Sequence, residues 1–237
     1  MARIDLGDIA VEVVRKNIKH LHLSVEPPAG RVRIAAPQRM QLDTIRVYAI
    51  AKLGWIKAQR RKMLAQEREP LREYIDRESH YLWGERLLLK VVERDAPPQA
   101  TRAHRKLLLQ VRPGTPRERR EGLLEDWYRS QLKAALPVLV AKWEPLLGVS
   151  VSRVFVRRMK TRWGSCTPST GSIRLNTELA KKPVECLEYV VVHEMAHLLE
   201  PTHGQHFIAQ LDRLLPQWVQ YRDQLNRQPV RHEHWRL

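Results

Sequence analysis

The chain has 237 residues, 43% of them hydrophobic and 29% charged, with 42 Lys+Arg against 26 Asp+Glu and a net charge of +16. That is one large domain or two small ones, and seven Trp with abundant Leu, Ile and Val exclude a disordered chain. The longest apolar run, Ala134–Ala141, falls far short of the roughly 18–20 residues of a membrane helix, Cys166 and Cys186 build no disulfide framework, and Asp5 and Asp8 stand where a signal peptide would be apolar, so a cytoplasmic protein is expected.

Ile9, Val11 and Val13 alternate as in a strand, as do Leu21, Leu23 and Val25, then Val32, Ile34 and Ala36. Pro27-Pro28-Ala29-Gly30 reads as the turn between the last two, and Pro37 ends the third. From Asp43, a candidate N-cap, Ile45, Tyr48, Ala49, Leu53 and Ile56 recur at helical spacing, with Gly54 as a soft spot. The basic end Lys57–Lys62 suits a helix C-terminus. Residues 67–76 read as a linker. Tyr81 to Val92 predicts a strand pair turning at Gly84-Glu85, and Leu107 to Val111 a further strand.

Thr115-Pro116 opens a second long helix, with Thr115 capping and Pro116 in the first turn. Leu123, Leu124, Trp127, Leu132, Leu139 and Val140 form its apolar face, Pro137 is expected to kink or split it, and Gly148 to end it. Val151–Val156 alternates as a strand, and Ile173–Asn176 predicts a short one after the Gly171 turn. Pro183 opens a helix through Leu187, Val190, Val191 and Ala196, and another helix spans Gln205–Leu215. No internal repeat is legible.

The informative segment is His193-Glu194-Met195-Ala196-His197. Histidines at i and i+4 share one helix face, so both imidazoles can meet one Zn²⁺ at about 2.0–2.1 Å. Glu194 points beside the metal, where it can take the proton of a metal-activated water and deliver it to the leaving amine. The apolar run Tyr189–Val192 supplies the helix this motif needs. A catalytic site needs a third ligand, and Glu200, His203 and His206 compete for it. His203 gives the metzincin ligand spacing, with Glu200 at that pattern's glycine and Pro201 free to stop the helix. Glu200 lies close and strained, and His206 about one turn past His203.

Arg162-Trp163-Gly164-Ser165-Cys166, Gly171-x-Ile173-x-Leu175-Asn176, Pro183, Tyr189 through Leu198, His203 and Phe207 occur in that order. The string resembles the YgjP-type metal-dependent hydrolases, which are similar to the SprT and WLM zinc peptidases. Val32-x-Ile34-x-Ala36-Pro37 and Trp55-Ile56 extend the likeness upstream, to roughly residues 10–225. The resemblance implies a zinc metallopeptidase with His193, His197 and His203 as metal ligands, Glu194 as general base, and a protein or peptide substrate. The expected class is α+β: a zincin-like catalytic domain, its motif helix against a small sheet, with an N-terminal β-rich region and long helices. The expected division is 1–114, 115–230 for the metallopeptidase domain, and a tail at 231–237, the first two packed as one unit.

Around this core, Trp163 reads as a core plug and Gly164 as a tight turn, with a cleft border as the functional reading of the loop. Ile173–Asn176 is expected as an edge strand able to pair with an extended peptide. Cys166 is set aside as ligand or nucleophile because three histidines are present, and Cys186 reads as a small core residue. Arg162, Tyr189 and His206 are candidates to stabilise an oxyanion. Residues 1–144 carry 29 basic and 18 acidic side chains, which suggests non-specific DNA or RNA binding. The alternative reading is therefore a basic nucleic-acid-associated protein with a structural or degenerate zinc site.

Overall fold

A computed structural model describes residues 2–26, 30–65, 72–159 and 162–227. Contacts divide the chain into two compact units, Met1–Pro70 with Arg227–Leu237, and Leu71–Asn226.

The first unit holds β1 (Ala2–Leu6), β2 (Ile9–Lys16), β3 (His22–Glu26), β4 (Arg31–Pro37), α1 (Leu42–Ala51) and α2 (Leu53–Ala65). Its sheet runs β1-β2-β4-β3, with β2 and β4 parallel and the outer pairs antiparallel. Period-two alternation turns Ile9, Val11, Val13, Val32, Ile34 and Ala36 to one face, where they are buried with Ile45, Ala49 and Ile56. The single helix expected from Asp43 is two helices. Lys52 ends α1, its N–H bonded back to the Tyr48 and Ala49 carbonyls. The N-cap is Gln41, and Asp43 lies in the first turn, where its charge complements the helix dipole. Of the turn expected at residues 27–30, only Gly30 lies within the described residues.

The second unit opens with β5 (Ser79–Leu82), β6 (Glu85–Glu93), β7 (Gln99–Ala103) and β8 (Lys106–Val111), in the order β5-β6-β8-β7. The middle pair is again parallel and the outer pairs antiparallel. The chain thus runs twice through one topology: hairpin, crossover to the far edge strand, antiparallel return into a middle strand parallel to the first, helix. The first hairpin turn needs positive φ in both copies, supplied by Gly7 (φ 67) in one and by Trp83 and Gly84 (φ 51 and 81) in the other. Segment 72–76 is no linker at Tyr74, which is buried with its N–H donated to Glu78; residues 66–71 lie outside the described ones.

Helix α3 (Arg117–Leu147) buries Leu124, Trp127, Tyr128, Leu132, Leu136, Trp143 and Leu147 along one face. It runs unbroken through Pro137, because that face is anchored on both sides of the proline. The Thr115 hydroxyl does not cap it but donates to the Arg112 carbonyl, and Pro116 takes the N-cap position. Gly148 ends it in the left-handed region (φ 70).

The site rests on β9 (Arg153–Arg157), β10 (Gly164–Thr167) and β11 (Ser172–Asn176), ordered β10-β11-β9. Ile173–Asn176, expected at an edge, is central, because β11 pairs with β10 on one side and β9 on the other, and Ser172, Ile173, Leu175 and Asn176 are all buried. The edge beside the motif helix is β10. Helix α4 (Val184–Ala196) is buried nearly all round and packs against β10, β11 and α3. α5 (Gln205–Leu214) and α6 (Trp218–Arg227) close the unit. Among the described residues no helix is long and apolar enough to cross a membrane.

Candidate metal centre

Helix α4 carries three successive valines, Val190–Val192, poor helix formers that burial holds in helical form. His193 and Glu194 occupy its last turn and His197 is its C-cap. The N–H groups of Leu198, Leu199 and Glu200 bond back to Met195 and Ala196, and Pro201 then stops the turn. The chain reverses and delivers His203 just before α5, whose N-cap is Gly204.

His193, His197 and His203 each offer a ring nitrogen, all within 4.8 Å of one another. The Nε2 atoms of His193 and His203 are 3.1 Å apart. A tetrahedral zinc with bonds of about 2.0–2.1 Å holds its ligand nitrogens about 3.4 Å apart, so the spacing fits the ion. Phe207 forms a buried floor, its ring centroid 5.0, 4.7 and 4.9 Å from those of His193, His197 and His203. His197 Nδ1 lies 2.9 Å from the Glu200 carbonyl, a contact that fixes the proton on Nδ1 and leaves the Nε2 lone pair able to take a metal. Burial, with the neighbouring His197 and His203, pushes His193 down to about 4, so its imidazole is neutral at ordinary pH. His203 is lowered for the same reasons, burial and His197. Glu200 and His206 stand outside the cluster, with Glu200 Oε1 3.7 Å from His206 Nδ1.

Glu194 is 6% exposed. Burial raises its carboxyl to about 7 against the opposing pull of Arg162. Gly164 lies directly against it, and this close approach is what requires glycine there; the tight turn expected at Gly164 is instead the start of β10. Cys166, two residues on, is half-buried beside Glu194; burial and then that charge push its thiol up to about 11, so it stays protonated. Buried Cys186 is likewise raised to about 11, chiefly by burial.

An open cleft of about 500 Å³ exposes His193, Glu194, His197 and His203 together with β10. Trp163 lines it and also packs on the core, so both readings of that residue hold. Of the oxyanion candidates, Arg162 and Tyr189 line the cleft and His206 does not. The Tyr189 hydroxyl lies 3.5 Å from His193 Nδ1, and burial holds its phenol protonated, raised to about 12.

Two contributors were not found by sequence reasoning. Asn176 is buried, and its Nδ2 donates to the carbonyls of Met159 and Arg162 (2.8 Å each) while Oδ1 accepts from the Glu178 N–H (3.2 Å). It thereby ties down both described ends of the loop that precedes β10. Helix α6 brings Arg222, Leu225 and Asn226 to the cleft; Trp218, Tyr221 and Leu225 at helical spacing were the available signal.

Residues 19–228 match the family described as YgjP-like, metallopeptidase domain. No curated protein matches the chain. Two solved structures are similar over part of it. The metallopeptidase zymogen of Pyrococcus abyssi abylysin shows 22% identity and a TM-score of 0.36, over 38% of this chain and 90% of that one. The metallopeptidase zymogen of Methanocaldococcus jannaschii jannalysin shows 21% identity and a TM-score of 0.34, over 38% and 91%.

Proposed function

Because the chain belongs to the YgjP-like metallopeptidase family, we propose that it is a zinc peptidase of zincin-like fold, with His193, His197 and His203 as metal ligands and Glu194 as general base. The observation that carries this reading is the convergence of three imidazole nitrogens within 4.8 Å, beside a buried carboxylate at the wall of one open cleft. Three histidines with no carboxylate among them form a donor set suited to zinc. When bound, the ion supplies Lewis acidity toward the scissile carbonyl and the attacking water.

The remaining chemistry belongs to the chain. Glu194, raised to about 7, is matched to accepting a proton near neutral pH and returning it to the leaving amine. Tyr189, protonated on the cleft wall, is a hydrogen-bond donor for the carbonyl oxygen as charge develops on it. β10 is paired on one side only among the described residues, and its other side offers a ladder to an extended peptide. A closed structural site would need a fourth protein ligand, and the donor cluster among the described residues has three.

The test is metal content together with peptide hydrolysis. The purified protein is expected to bind one zinc per chain and to cleave an unstructured protein. Glu194→Gln is expected to keep the metal and lose the cleavage. Failure to take up zinc, or full activity in Glu194→Gln, overturns the proposal.

A further inference from the structure

We infer that the cleft selects peptides carrying a carboxylate beside the scissile bond. The inference rests on the peptidase reading and names its substrate class. Of the described residues lining the cleft, Glu194 is the sole carboxylate, and Arg162 and Arg222 are the cations. Glu194 is engaged at the reacting centre, so the rest of the wall is positive. Arg162 makes no ion pair among the described residues, and its charge acts on Glu194.

Arg222 is fixed relative to the metal centre. Its guanidinium lies 5.0 Å over the Trp218 ring, and Trp218 stacks on Tyr189 at 6.4 Å and 21°. Tyr189 in turn meets His193, with ring centroids 5.7 Å apart. The Trp218 indole N–H donates to Asp212 at 2.7 Å, which locks the stack. Asp223 takes Nε and Nη2 of Arg222, both at 3.1 Å, but does not itself line the cleft. Two guanidinium groups on the walls of one cleft focus a positive field on whatever enters it. Arg162 offers a guanidinium fork unengaged among the described residues, the side-chain shape best suited to hold a carboxylate, while Arg222, its Nε and Nη2 on Asp223, adds charge at the wall. The carboxylate has two sources, an Asp or Glu side chain or the C-terminus of the substrate.

The test measures binding, so that it stands apart from turnover. Labelled peptides of one sequence carry Glu, Gln or Lys at the positions flanking the cleavage point, each with a free or an amidated C-terminus. Their affinity for zinc-loaded Glu194→Gln protein is read by anisotropy at about 150 mM salt. The Glu peptide is expected to bind about tenfold tighter than the Gln peptide, and the Lys peptide more weakly than either. A gain confined to the free C-terminus assigns the site to the terminal carboxylate. Arg162→Gln and Arg222→Gln are expected to erase the preference and Arg222→Lys to keep part of it. Lys133→Gln, which removes the same charge from an exposed position off the cleft, is expected to leave it intact. Equal binding of charged and neutral peptides overturns the inference, as does equal loss in Lys133→Gln and Arg222→Gln. Cleavage by the wild type is scored separately. A preference in binding with no cleavage of any peptide strikes the peptidase reading and leaves the carboxylate site standing.

Discussion

The Glu194 carboxylate lies so close to Gly164 that a Cβ on that residue would stand 2.6 Å from Oε1 and 2.7 Å from Cγ. The neighbour is the working end of Glu194, itself buried on α4, so it has little room to retreat. An absent side chain on the edge strand thereby sets the position of the candidate base.

Gly164→Ala is therefore expected to displace the carboxylate while leaving the three imidazoles untouched. A shift of about 1 Å in a catalytic group costs on the order of 10²-fold in rate. Peptide hydrolysis should fall by about that factor with zinc content unchanged. Loss of zinc instead would mean that Gly164 supports the metal centre and not the base alone.

Much of this was legible in the sequence because it follows local periodicity. The helix under His193 and His197, the strands at 9–13, 32–36 and 173–176, and the return of the chain at Pro201 all follow from spacing and from Pro chemistry. What was hidden depends on contacts distant in sequence. β10 has no alternation of its own, since it is a half-covered edge that gains its form by pairing with β11. β7 is almost wholly exposed and is held by β8. The duplicated topology leaves no repeat in the sequence because it needs only burial alternation and turns of positive φ, which Gly7 supplies in one copy and Trp83-Gly84 in the other. Asn176 carries no sequence signal of its clamp, because its partners Met159 and Arg162 lie 17 and 14 residues away.

The third ligand can be decided by substitution. His203→Ala is expected to weaken zinc binding by several orders of magnitude, since two ligands remain of three. His206→Ala should change it little, because His206 faces Glu200 and is 88% exposed. A competition titration against a chelator of known affinity reads both. The reverse order would transfer the assignment to His206.

Asn176→Ala should act on the loop before β10 and not on the metal. It removes the donor that satisfies two carbonyls, at a cost of about 1–3 kcal/mol in stability. Release of Arg162 and Trp163 from their positions on the cleft wall should also lower kcat, with zinc affinity near the wild type. Denaturant unfolding and a chelator titration separate the two effects. Unchanged stability would show that the clamp contributes nothing.

The buried carboxylate makes the last expectation one of sign. Glu194 has its folded pKa raised to about 7, by burial, from an unfolded value of 4.5. A raised folded value means that the native state favours the neutral form. Its contribution is therefore fully present below pH 4.5 and is lost as pH rises through 7. Gln is neutral throughout, so metal-free Glu194→Gln should be the more stable protein above pH 7, by on the order of 3 kcal/mol. The advantage should vanish below pH 4.5, where both side chains are uncharged. His193 titrates the other way: its folded value is lowered to about 4, chiefly by burial, from 6.5, so stability falls as pH drops from 6.5 toward 4. That loss is common to both proteins and cancels in the difference between them. Denaturant unfolding of the chelated proteins at pH 4, 6 and 8 checks the trend. A difference that does not grow with pH would show that Glu194 ionises in the folded chain as freely as in the unfolded one, and would remove burial as the source of its basicity.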